Sequence, residues 1–140
     1  MYKVTVEVSF DAAHRLLDYS GKCFRNHGHS YTALVELISS KLYGSGFVVD
    51  FGDVKKLIKN FVDTHWDHST LLNAADLLVP LLSEQGCSVY VMEGDPTAER
   101  MAEVLYKYIQ DNLTFEGDVR LKSVTIKETP ITASTYYEED

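Results

Sequence analysis

Tyr2, Val4, Val6, Val8 and Phe10 alternate with Lys3, Thr5, Glu7 and Ser9, and a strict period of two commits this stretch to an extended strand with one buried and one wet face. Residues 29–40 repeat the pattern. His27, His29, Tyr31, Ala33, Val35 and Leu37 fall on one side, Ser30, Thr32 and Glu36 on the other. Paired antiparallel, two such strands return the end of the first to the start of the second. That place is occupied by His14 and by His27-Gly28-His29, and the loop between them carries Asp18, Ser20, Gly21 and Cys23.

Two further stretches have the helical period. Val54, Leu57, Ile58, Phe61, Val62 and His65 form one stripe after Asp50-Phe51-Gly52-Asp53, and Met101, Val104, Leu105, Tyr108 and Ile109 form another. The second helix has Asp95 or Thr97 as N-cap, Pro96 in its opening turn and Glu99 at the positive end of its dipole. Cys87 to Met92 is a short β-prone run that reads as a minor strand. Val119–Glu128 and Thr132–Glu138, parted by Thr129-Pro130-Ile131, read as a closing hairpin. The main order is ββααββ, an α+β layer with a four-stranded antiparallel sheet and two helices on one face. Such a sheet leaves one face and two edges to be covered, which predicts an oligomer.

The chain of 140 residues is 45 % hydrophobic, enough for one domain over 1–140 and too little for two. A formal charge of −8 argues against nucleic acid as a partner, because a polyanion is bound through clustered cations. No apolar run is long enough to span a membrane, and the chain opens on a strand pattern instead of an apolar leader. With only two cysteines, the expectation is a cytoplasmic, thiol-containing protein.

Histidines two apart on a strand share a face, so His27 and His29 can reach one ion while Gly28 lets the backbone come close. With His14 they make three nitrogen ligands and leave one position open, the pattern of catalytic rather than structural zinc. Cys23 lies four residues before His27 and two before Arg25. A dication held nearby and Arg25 would both favour its thiolate, or it could be a fourth ligand. Asp67-His68 can be an oriented acid–base pair or a helix-end cap. Glu128 reads as a strand-end charge, Cys87 as a small buried hydrophobe, and His65 as structural.

Phe10-x-Ala12-Ala13-His14-Arg15-Leu16, Cys23-x-x-x-His27-Gly28-His29-Ser30-Tyr31, Val49-Asp50-Phe51, Asp67-His68-x-x-Leu71, Pro96-Thr97-x-Glu99 and Lys127-Glu128-Thr129 together resemble the 6-pyruvoyltetrahydropterin synthase family, which includes the 6-carboxytetrahydropterin synthases of the queuosine pathway. The resemblance implies a T-fold (tunnelling fold) whose trimers join their sheets into a barrel and stack as homo-hexamers, with active sites between subunits. It implies His14, His27 and His29 as zinc ligands, Cys23 as the catalytic base, Asp67 and His68 as its assistants, and Glu128 as the carboxylate that grips the pterin. Thr97 and Glu99 fall close to the pterin pocket.

The substrate implied is 7,8-dihydroneopterin triphosphate, with zinc as Lewis acid at its side chain. Three residues between Cys23 and His27 resemble the branch that forms 6-carboxy-5,6,7,8-tetrahydropterin, acetaldehyde and triphosphate. The alternatives are formation of 6-pyruvoyltetrahydropterin, and a non-catalytic pterin- or metal-binding module. Trp66 stands where the family more often has Leu, and residues 74–92 are longer than in compact bacterial members.

Overall fold

A computed structural model of the chain describes residues 1–139. β1 (Tyr2–His14) and β2 (His27–Ser39) pair antiparallel along their full lengths, with Val6 opposite Val35, Phe10 opposite Tyr31 and His14 opposite His27. A slip of one residue would turn Val6, Val8 and Phe10 out to water, so the pleat itself fixes the register. β5 (Arg120–Thr129) lies antiparallel on β2, and β6 (Thr132–Tyr136) on β5.

The sheet has six strands, not the four expected. β3 (Thr70–Asn73) runs parallel to β1, and β4 (Val89–Met92) parallel to β3, giving the order β4-β3-β1-β2-β5-β6. Leu71 and Leu72 are both fully buried. A strand covered on both faces shows no alternation, and four residues are too few to reveal one.

α1 (Phe51–His65) begins at Asp50, whose carboxylate accepts from the Gly52 amide at 2.8 Å. α2 (Leu78–Glu84), a third helix that periodicity does not announce, carries Pro80 in its first turn, where an N–H has no helical partner to lose. α3 (Ala98–Asn112) is capped by Thr97, whose hydroxyl accepts from the Arg100 amide at 3.2 Å. Pro96 therefore precedes the cap and does not open the helix. Thr97→Ala is expected to cost about 1 kcal/mol in urea unfolding, as loss of an N-cap does; an unchanged midpoint would assign the hydroxyl elsewhere.

Val54, Ile58, Phe61 and Val62 of α1 and Met101, Leu105 and Ile109 of α3 close over the same sheet face, against Val6, Val8, Phe10, Tyr31, Ala33 and Val35. Each large side chain removed from water contributes about 1.5–3 kcal/mol. The opposite face shows Lys3, Thr5, Glu7, Ser9 and Asp11 to solvent. Trp66, where the family more often has Leu, is fully buried, with ring centroids 5.5 Å from Phe10 and 4.9 Å from Phe61 and its Nε1 without a hydrogen bond.

Two side chains sit differently from expectation. Cys87 is exposed, because it lies in the turn that leaves α2, its amide bonded back to the Leu82 carbonyl, before β4 begins. His65 is exposed too, as the last residue of α1, where the stripe has drifted off the core; its ring leans on Phe61 and Tyr90 at the surface.

Candidate active site

The β1–β2 register brings His14 directly across from His27 and places His29 across from Ala12, so all three imidazoles emerge at one end of the helix-covered face. A Cβ on Gly28 would come within 3.3 Å of the Ala12 carbonyl, which makes the glycine a tight fit between the strands.

Backbone carbonyls set the tautomers. His14 Nδ1 lies 2.8 Å from the Pro96 carbonyl and His27 Nδ1 lies 2.6 Å from the Arg25 carbonyl. A carbonyl only accepts, so each Nδ1 carries the proton and each Nε2 presents its lone pair. Those two lone-pair nitrogens face each other at 3.1 Å. His29 Nε2 is buried without a hydrogen bond. The ligand atoms of the three histidines all lie within 4.8 Å of one another. Facing acceptors and an orphaned nitrogen suit a shared cation, and neutral nitrogen donors held by carbonyls suit zinc.

Burial is the main influence on His14 and lowers its pKa, against the opposing pull of the Pro96 bond and Glu128; burial likewise lowers that of His29, again opposed by Glu128. Both effects favour the neutral, ligating ring. Glu128 Oε1 stands 3.2 Å from His14 Nε2 and 3.4 Å from His29 Nε2. Glu128 is thus no idle strand-end charge, because it turns its carboxylate into the cluster.

Cys23 occupies a single 3-10 turn, Lys22–Phe24, half-buried and free of any disulfide. Among the described residues the metal-competent group consists of His14, His27 and His29 and leaves Cys23 out. The Cys23 carbonyl accepts from the Leu16 amide at 2.8 Å, pinching the loop at its neck.

Asp67 and His68 form a pair, with His68 Nδ1 2.9 Å from Asp67 Oδ2. His68 has φ of 57°, a left-handed conformation that costs a non-glycine residue energy. Two bonds to Asp11 hold it there: the Asp11 amide donates to Asp67 Oδ1 at 3.0 Å, and the His68 amide donates to the Asp11 carbonyl at 2.7 Å. His68 shares a recess of about 460 Å³ with Asp11, Gly28, His29, Ser30 and Thr70. Asp11 and Ser30 belong to the solvent face, out of phase with buried Ala12 and Tyr31. His68, 79% exposed, thus stands beside the solvent-facing Asp11 and Ser30, in a recess that also reaches the cluster's strand at His29.

The hydrogen bond from Asp67, and next its charge, raise the His68 pKa; the Asp11 amide, ahead of His68 itself, holds the Asp67 carboxyl low. A raised imidazole pKa means that the ion pair is complete below the ordinary histidine range and is lost as pH rises through the folded value. Asp67→Asn is expected to make His68 titrate at lower pH in side-chain NMR. A titration curve that does not move would show that the carboxylate has no hold on the ring.

Thr97 spends its hydroxyl on the α3 cap, and Glu99, exposed in the first turn, accepts from Ser134 of β6. Neither touches the histidine cluster. What sequence reasoning missed are main-chain atoms, the Pro96 and Arg25 carbonyls, and the Arg15–Asp76 ion pair at 2.5 Å beneath the loop. A carbonyl carries no residue signal; Arg15 stood in a motif without a role of its own.

A family model described as 6-pyruvoyl tetrahydropterin synthase matches residues 3–139. The chain belongs to this family. Curated members similar to it include the 6-carboxy-5,6,7,8-tetrahydropterin synthase of Rickettsia conorii, 34% identical over 93% of this chain and 96% of that protein. The enzyme of the same name from Haemophilus influenzae is 32% identical over 99% and 100%. A probable 6-carboxy-5,6,7,8-tetrahydropterin synthase of Halobacterium salinarum is 41% identical over 88% and 78%. Among solved structures, the 6-pyruvoyl tetrahydropterin synthase of Caenorhabditis elegans superposes with a TM-score of 0.70 at 29% identity, covering 99% of this chain and 98% of that one. The fold is the T-fold, here with a six-stranded sheet among the described residues. Among the described residues no helix is long and apolar enough to cross a membrane.

Proposed function

We propose that this chain is a zinc-dependent 6-carboxy-5,6,7,8-tetrahydropterin synthase, which converts 7,8-dihydroneopterin triphosphate and water to 6-carboxy-5,6,7,8-tetrahydropterin, acetaldehyde and triphosphate. The observation that carries the chemistry is the set of three buried or half-buried imidazoles with two Nδ1–H groups fixed on carbonyls and Nε2 atoms converging. The curated relatives named above support the carboxy branch over the pyruvoyl one.

Zinc held by His14, His27 and His29 would supply a Lewis acid that acidifies a C–H of the substrate side chain. Cys23, outside the ligand set, takes that proton as thiolate. His68, whose protonated form Asp67 favours, returns a proton to the side chain, and the Asp67 carboxylate holds its ring in place. Glu128 accepts from the pterin ring N–H and amine, a paired contact that fixes the ring relative to the cluster. Thr97 and Glu99, at the α3 end of this site, border the pterin.

The His68 ring is 79% exposed beside the solvent-facing Asp11 and Ser30, and in this reading the His68 of one copy serves the cluster of another. A homo-hexamer of two trimers fits that need, and it covers the β4 and β6 edges left open in one chain. The test is product analysis with purified protein and 7,8-dihydroneopterin triphosphate. Acetaldehyde and triphosphate in equal amounts support the reading; a pyruvoyl product replaces the branch, and absence of turnover with zinc bound removes the enzyme reading.

A further inference from the structure

The loop that carries Cys23 leaves β1 at His14 and rejoins the sheet at His27, and its first residues have no strand to bond to. The Leu17 and Asp18 amides are satisfied by one side chain. Asp95, in the turn before α3, accepts from the Leu17 amide at 2.8 Å and the Asn73 amide group at 3.0 Å through Oδ1, and from the Asp18 amide at 3.0 Å through Oδ2. The next residue, Pro96, gives its carbonyl to His14 Nδ1 at 2.8 Å. Two adjacent residues of one turn thus grip the segment His14–Asp18 at both ends, one on a metal ligand and one on the root of the loop.

The path from Asp95 to the thiol is short. Leu16, between the gripped residues, donates its amide to the Cys23 carbonyl at 2.8 Å. Arg15, bonded in bidentate fashion to Asp76 at 2.7 and 2.5 Å, lays its guanidinium 4.9 Å from the centre of the Phe24 ring, next to Cys23. We propose that Asp95 is a positioning residue of the reaction, which holds the Cys23 loop in register with the His14 imidazole so that base and metal ligand keep one relative geometry. This rests on the role of Cys23 given above.

Asp is required chemically. Its carboxylate has two accepting oxygens for three donors, and Asn would turn an NH₂ toward an N–H, losing at least one bond and opposing another donor. Displacement of a reacting group by about 1 Å can cost about 10²-fold in rate. Side chains that bind substrate or zinc are untouched by the change.

Asp95→Asn, made in a Cys87→Ser background so that Cys23 is the one thiol, separates positioning from folding. Expected are one zinc per chain, a KM within about threefold of the parent, kcat lower by about 10- to 100-fold, and an altered iodoacetamide alkylation rate at Cys23. Parental kcat and alkylation rate, or a loss of kcat that merely follows loss of zinc, would overturn the proposal. In the unmodified protein the Leu17 and Asp18 amides should exchange hydrogen at least about tenfold more slowly than those of Ser20 and Gly21; exchange at free-chain rates overturns it even where the variant fails to fold. If the parent has no activity on the pterin, the functional reading fails, while alkylation and exchange still decide the role of Asp95.

Discussion

Replacing Cys23 by alanine is expected to leave one zinc per chain in place and to lower kcat by about 10²–10⁴-fold, the range a positioned general base contributes. The reason lies in where the thiol stands. Three histidines complete a metal-competent group among the described residues without any sulfur, and their tautomers are set by the Pro96 and Arg25 carbonyls, which the substitution leaves alone. Cys23 itself is half-buried on a loop tied by main-chain bonds that do not involve its Sγ. Zinc content by mass spectrometry and steady-state turnover measured on one sample separate the two roles. Zinc lost together with activity would make the thiol a fourth ligand, and full activity would remove it from the chemistry.

Period explains which parts of this fold could be read from residues alone. β1, β2, α1 and α3 each run long enough to repeat their pattern several times, and each was found at its expected place within a few residues. β3 spans only Thr70–Asn73 and α2 only Leu78–Glu84, lengths at which a buried strand and a short helix look alike. The exposed Leu77 and Leu81 around α2 reverse what hydropathy suggests, while the leucines of β3, covered on both faces, show no alternation to read. Cys87 was misplaced for a related cause, since a β-prone composition does not say where a turn ends.

The site divides in the same way. His14, His27 and His29 were legible because antiparallel pairing of two alternating strands leaves little freedom in where their ends meet. The placement of Asp67-His68 depends on β3 lying beside β1, a contact between segments far apart in the chain, so no local pattern could tie the pair to Asp11. Asp95 was visible only as a cap candidate. Its three hydrogen bonds reach residues 17, 18 and 73, and such a convergence exists only once the chain is folded.

His14→Ala tests the cluster at its most buried member. The side chain is 2% exposed, donates through Nδ1 to Pro96 and turns Nε2 toward both His27 and Glu128. Alanine removes one of the three proposed ligands and strips the Pro96 carbonyl of its donor, an unsatisfied buried acceptor that costs about 1–3 kcal/mol. It also leaves Glu128 facing His29 without the nitrogen that shares its Oε1. Loss of a mere supporting partner of a ligand weakens metal binding by about 10–100-fold, so loss of the ligand itself should exceed that, and turnover should fall with occupancy. A second readout is independent of substrate. Zinc at about 100 times its Kd stabilises a protein that binds it only when folded by about 2.7 kcal/mol, so added zinc should raise the melting temperature of the parent and leave that of His14→Ala unmoved. An equal rise in both would place the metal elsewhere.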